Sequence, residues 1–190
     1  MEEMKTFVYQ YFYNLIENKD ITDLIVSQVE FRELTAGTTI LEAGERTDDV
    51  CLVVSGLVRG FYLDEDGNDI SKCFAQKGDW CCTYNYFTET ECPFYLETSV
   101  DSVLARFSIH DVRKVVSKYP LLEEKIGKLL TQTMLDSEKR ILGLTSLEAK
   151  DRYLRLLEEQ PELIKLAKQE HIASYLGITP SSLSRIKRNL

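Results

Sequence analysis

ILEAGERTDDVCLVVSGLVRGFYLDEDGNDI, residues 40–70, is the stretch from which the fold class is read. Its glycines fall at 44, 56, 60 and 67, and with Gly37 and Gly78 they make six of the nine in the chain. Between them lie short β-rich runs: Val50–Val54, Leu57–Val58, Phe61–Leu63 and Ile70–Phe74, with Thr38–Leu41 just before. Asp66-Gly67 between two such runs is a hairpin signal, because a tight turn needs φ > 0. Strands punctuated at this rate leave no room for crossover helices. The pattern therefore predicts a compact β-barrel or roll, not βαβ units. A later β stretch, residues 95–107, is expected to close it.

Helices flank this core, so the class is α+β. Residues 1 to about 29 read as helical, with Phe7, Tyr11 and Leu15 at four-residue spacing and Asp20 or Thr22 able to cap a second short helix. Residues 111–119 form a short helix stopped before Pro120. Pro120 suits the first turn of a longer helix that runs to about Leu142. Along it Ile126, Leu130, Met134, Ser137 and Ile141 form a near-heptad stripe. Such a stripe is either one face lying on its own barrel or a seam between two copies. Leu122, Leu129 and Leu142 offer a second face for the barrel, which favours the seam. A helix over 146–159 follows, with Thr145 or Ser146 as its cap, and Pro161 marks a break.

Composition limits the function classes. The net charge of −8 argues against a surface coated with nucleic acid. The charge is uneven, however: Lys165, Lys168, Arg185, Lys187 and Arg188 face only Glu170 in the last 26 residues. The longest purely apolar run, Val50–Val54, is far short of a membrane span. The acidic start is no signal peptide, so a cytoplasmic protein is expected. The five cysteines at 51, 73, 81, 82 and 92 show neither a disulfide framework nor zinc-ligand spacing. His110 and His171 lie far apart, so no metal or other cofactor is expected. No nucleophile–base pair or phosphate-binding glycine loop suggests an enzyme.

The cationic end has its own logic. In QEHIASYLGITPSSLSRIKRNL, residues 169–190, Ile172, Leu176, Ile178, Leu183 and Ile186 supply an apolar nucleus for two short helices. Ala173 keeps them close, and Gly177 sits at the turn. Thr179 is a good N-cap and Pro180 a good first helical residue. This is the layout of a helix-turn-helix. Its second helix should turn Leu183, Ile186 and Leu190 inward and present Ser181, Ser182, Arg185 and Arg188 outward. Arg185 is the candidate for bidentate contact with guanine, while Lys187 and Arg188 suit phosphates. Thr179 and Gln169 complete the DNA-binding candidates. A plain helical hairpin with a solvated end is the alternative.

The order of roll, long helix and helix-turn-helix resembles the Crp/Fnr family of bacterial transcription regulators. Residues 40–70 with Gly78-Asp79 are similar to its cyclic-nucleotide-binding roll. Leu135-Asp136-Ser137-Glu138-Lys139 resembles its dimer-helix segment, and IASYLGITPSSLSRIKRNL its DNA-reading unit. The resemblance implies a double-stranded β-roll effector domain at 1–119, a dimerisation helix at 120–143 and a helix-turn-helix domain at 144–190. Its seam would use Ile126, Leu130, Met134 and Ile141. The implied partners are a double-stranded DNA operator, a second copy of the chain, a small-molecule effector and RNA polymerase. The alternative is a ligand-binding or interaction module whose tail no longer binds DNA.

Two departures stand against that pattern. Cyclic-AMP-binding members carry Gly-Glu-Leu and then Arg-Ser/Thr after the Gly-Asp pair. Here residues 78–105 hold no Lys or Arg but do hold Asp79, Glu89, Glu91, Glu97 and Asp101. A buried cyclic phosphate needs charge-assisted donors, so an effector other than cyclic AMP is expected. Arg59 and Lys72 are the cations that other strands offer as substitutes. The candidate pocket residues are Cys81, Cys82, Tyr84, Tyr86, Tyr95, Arg59 and Ser137, although the aromatics serve equally well as core. The β-wing that usually follows the family's recognition helix is also expected to be missing.

Overall fold

The computed structural model describes residues 1–190. Two helices, α1 (Glu2–Ile16) and α2 (Lys19–Ser27), precede the roll. The first sheet holds β1 (Glu30–Leu34), β8 (Ser102–Ser108), β3 (Asp49–Ser55) and β6 (Trp80–Cys81) in that spatial order. The second holds β2 (Thr39–Leu41), β7 (Tyr95–Thr98), β4 (Val58–Leu63) and β5 (Asp69–Ala75). All pairings are antiparallel. A short α3 (Tyr84–Thr88) bridges β6 and β7.

Strand β3 explains the apolar run at its centre. Val50, Leu52 and Val54 face α1 and α2, whereas Cys51 and Val53 face the interior between the sheets. A strand buried on both faces carries no polar alternation. The β4–β5 hairpin turns at the expected place, where the Asp64 carboxylate accepts from the backbone N–H of Asp66 and Asn68. The expected runs at 57–58 and 61–63 belong to one strand, β4, except that Leu57 lies outside it. Strands β1 and β6 and helix α3 were not expected. β1 is too polar, and β6 too short, to show in the pattern.

The helices depart from expectation in detail. On α1 the fully buried row is Val8, Phe12 and Ile16, with Phe7, Tyr11 and Leu15 half-buried beside it. Asn18, not Asp20 or Thr22, caps α2 by accepting from the Ile21 N–H. Helix α4 (Ile109–Val116) leads to α5 (Pro120–Ser146), which opens on Pro120 as expected but runs past Leu142. Thr145 and Ser146 therefore lie within α5, and α6 (Ala149–Glu159) starts without a side-chain cap. Leu122 anchors α5 in the core under α1, but Leu129 is 38% and Leu142 61% exposed, so neither serves the barrel.

Beyond α6 come α7 (Pro161–Leu166), α8 (Gln169–Tyr175) and α9 (Pro180–Arg188). Their core takes one buried residue from the roll, with Phe74 and Val100 packed against it. Leu57, wholly buried, packs with Tyr153, Leu156, Leu163, Ile172 and Leu183. It reaches them because Gly56 turns at φ 92°, with Ser102 so close that any Cβ would overlap its Oγ. That hydroxyl accepts from the Leu57 N–H at 3.1 Å. Burying a leucine here contributes roughly 2 kcal/mol to holding roll and helices together.

Candidate DNA-binding face and effector cavity

The turn between α8 and α9 is built as the sequence predicts. Ala173 is wholly buried between the helices. Gly177 adopts φ 66°, and a Cβ there would approach Leu144 Cδ2 of α5 to 3.1 Å. Thr179 caps α9 by accepting from the Ser182 N–H at 3.2 Å, with Pro180 following. Its hydroxyl also lies 2.9 Å from Ser181 Oγ and donates to Ser182 Oγ at 3.0 Å. Three hydroxyls thus gather at the helix N-terminus, where the backbone N–H groups suit an anion.

Leu183 is buried and Ile186 half-buried, as expected, but Leu190 is 58% exposed and does not turn inward. It lies beyond the end of α9, past the Asn189 cap, so the helical phase no longer directs it. Arg185, Lys187 and Arg188 are exposed and form no ion pair within the chain. The cations at 155 and 165, by contrast, are held by Glu159 and Glu162. Gln169 is exposed at the start of α8.

A second feature is an open cavity of about 1220 Å³ that runs along α5, lined by the roll, α1, α4, α6 and the end of α8. Cys81, Cys82, Tyr84, Tyr86 and Ser137 line it. Arg59 and Tyr95 do not. Arg59 points from the outer face of β4 toward α8, donating to Asp69 at 2.9 Å and Glu97 at 3.0 Å. It also lies over the Phe61 ring, which stacks on Tyr95 at 5.1 Å. Side chains alternate across a strand, and position 59 falls on the outer row. Asp69, four residues beyond the hairpin's Glu65, is the partner that a linear reading passes over.

The aromatic residues divide between core and cavity. Trp80 packs on Phe12 and Phe107 and donates to Tyr11 Oη at 2.8 Å, so it serves the core as well as lining the cavity. Phe94 meets Tyr62 and Tyr84 edge-on beside the cavity. Cys81 and Cys82 are buried against Cys51, and shared hydrogen bonding with Cys51 together with burial holds both thiols well above the ordinary thiol value. Thiols that stay protonated are poor nucleophiles.

Along α5 the predicted seam residues lie in the open. Leu130 is 45%, Met134 58% and Ile141 54% exposed, while Ile126 is half-buried. No helix of the chain is long and apolar enough to cross a membrane.

These features make up a two-sheet β-roll joined by a long helix to a helix-turn-helix. Residues 31–119 match the cyclic nucleotide-binding domain family. The cAMP-activated global transcriptional regulator Vfr of Pseudomonas aeruginosa is 21% identical over 183 residues, covering 88% of this chain and 85% of Vfr. The cAMP-activated global transcriptional regulator CRP of Pasteurella multocida is 20% identical, covering 87% and 84%. FixK2 from Bradyrhizobium japonicum superposes with a TM-score of 0.78 at 21% identity, covering 85% of this chain and 84% of FixK2. The homologues are thus Crp/Fnr-type transcription regulators rather than enzymes, and the chain has their fold.

Proposed function

We propose that this protein is a homodimeric, DNA-binding transcription regulator of the Crp/Fnr type, controlled by an effector other than cyclic AMP. The observation that carries the reading is α9: a capped helix whose cations have no partner inside an otherwise acidic chain. The exposed Leu130–Met134–Ile141 stripe supports pairing of two α5 helices. Such pairing would set two copies of α9 about one helical turn of DNA apart, roughly 34–36 Å. The DNA target makes the cytoplasm its working compartment, and RNA polymerase is the partner through which a bound dimer acts. The effector reading rests on the cavity. The segment that holds the cyclic phosphate in cyclic-AMP-binding members has no cation here, and Arg59 is occupied by Asp69 and Glu97.

The test is an anisotropy titration of the full chain against genomic fragments at several salt concentrations. Saturable binding to a subset of fragments, weakening steeply with salt, is expected. Equal, weak binding to all fragments would refute the regulator reading and leave a binding module. Calorimetry with cyclic AMP should show no saturable heat.

A further inference from the structure

The register between β4 and β5 slips between Gly60 and Phe61: Gly60 pairs with Cys73 and Phe61 with Ser71. Lys72 is the extra residue of this bulge. A bulge redirects a side chain out of the strand's alternation. Here it sends Lys72 over the Phe94 ring, 4.3 Å from the centroid, beside the cavity. The lysine forms no ion pair, and its nearest polar partner is Cys73 Sγ at 4.0 Å.

A second cation of the same cavity comes from α5 and bonds to the residue before Lys72. Arg140 donates through Nη2 to the Ser71 carbonyl at 3.0 Å and to the Tyr175 carbonyl at 3.1 Å, and it stacks on the Tyr175 ring at 4.6 Å. Neither partner carries charge, and its buried Nε–H has no partner. A buried donor left unmade is costly, more so on a charged group. Asp136, one turn earlier, is already engaged by Lys139 at 3.6 Å and Gln132 at 2.9 Å.

We infer that this corner binds an organic anion. A carboxylate or phosphate group sits between Lys72 and Arg140, and its apolar or aromatic body lies against Tyr62, Phe94 and Tyr175. The inference deepens the effector reading of the cavity and rests on it. It also supplies a route to the DNA-binding end, because Arg140 holds strand β5 and α8 together. An anion that draws on Arg140 acts on that joint.

The test uses two fluorescent probes on the full chain without DNA: anilinonaphthalene sulfonate and its uncharged counterpart phenylnaphthylamine. The sulfonate is expected to bind roughly tenfold or more tightly than the neutral probe. Lys72→Met and Arg140→Gln should each remove about tenfold from the sulfonate alone. Lys72→Met touches no interhelical bond, so it remains decisive if Arg140→Gln misfolds. Equal affinity for the two probes, or a gap that survives Lys72→Met, overturns the proposal. Phenyl phosphate and benzoate then compete for the bound sulfonate. Displacement by the first marks a phosphate ligand and by the second a carboxylate, while displacement by neither counts against the site. The DNA titration uses no probe, so failure of this site and failure of the regulator reading give separate results.

Discussion

Where the roll meets α8, groups that leave water mostly find partners inside the chain; along α5 and α9 they do not. Arg59 receives carboxylates from β5 and β7, Ser174 Oγ accepts from the Ser71 N–H at 2.9 Å, and Leu57 fills the helical core. On α5, Leu130, Met134, Leu135 and Ile141 each leave more than two-fifths of their surface in water. On α9 three cations stand unpaired. Both kinds of surface draw on leucines and arginines, so composition cannot separate them. What separates them is satisfaction. A surface completed within the chain fixes shape, and one left incomplete calls for another molecule.

The largest effect should come from spoiling the open stripe of α5. Ile126→Glu with Met134→Glu would bury unpaired carboxylates in a dimer, raising its dissociation constant by about a hundredfold or more. Sedimentation should then find monomers with an unchanged fold. A double variant that remains dimeric would place the seam elsewhere and remove α5 from the comparison.

The joint should respond in the opposite way, losing stability rather than assembly. Leu57→Ala empties a site with no solvent contact and should cost about 2–5 kcal/mol in urea unfolding. Arg59→Met leaves Asp69 and Glu97 without their cation. Because Asp69 is 38% and Glu97 21% exposed, water screens them, and the loss should stay near the low end for a broken buried pair, about 3 kcal/mol. If either variant is as stable as the parent, the joint is a passive contact rather than a completed one.

On α9 the change should appear only with DNA present. Arg185→Ala should cost about 1–3 kcal/mol on the preferred site and relax preference at one base pair per half-site. Arg188→Ala should weaken every sequence alike and lower the salt slope by about one unit. Equal losses on preferred and random DNA for Arg185→Ala would mean that it holds a phosphate instead.

The contrast between surfaces also sets how much could be read from the chain. Local signals were legible: the Asp64–Asn68 hairpin, Pro120 opening α5, and Ala173, Gly177 and Thr179 shaping the helix turn. Each depends on a few consecutive residues. What escaped depends on residues far apart. Leu57 reads as part of a strand, yet it packs on Leu163 and Leu183, which no local period can show. Arg59 reads as a free cation until the hairpin brings Asp69 beside it. Lys72 owes its direction to a register slip that period-two alternation does not encode. Helical phase alone turns Leu129 and Leu142 toward the barrel, but after Leu122 no leucine of α5 is buried against it.

The smallest expected effect is a pH dependence of the joint. His171, 4% exposed, lies on α8 against Arg59 of β4, Asp69 of β5 and Glu97 of β7, with Glu170 beside it. Burial lowers its pKa below the ordinary 6.5 and Arg59 lowers it further, while the three carboxylates pull it up. Its Nδ1 has no partner. The folded chain therefore holds the neutral imidazole, whereas the unfolded chain takes up a proton below about pH 6.5. Stability should be level above that value and fall as the pH drops through the window beneath it, levelling again below the folded pKa. Asp69 acts lower. The hydrogen bond from Arg59 depresses its pKa below 3.8, so its contribution is lost only in stronger acid. Thermal melts between about pH 7.5 and about pH 5 should thus include the histidine's contribution and leave out that of Asp69. His171→Gln, which cannot titrate, should flatten that slope. An equally steep slope in the variant would show that the acid sensitivity arises outside the joint.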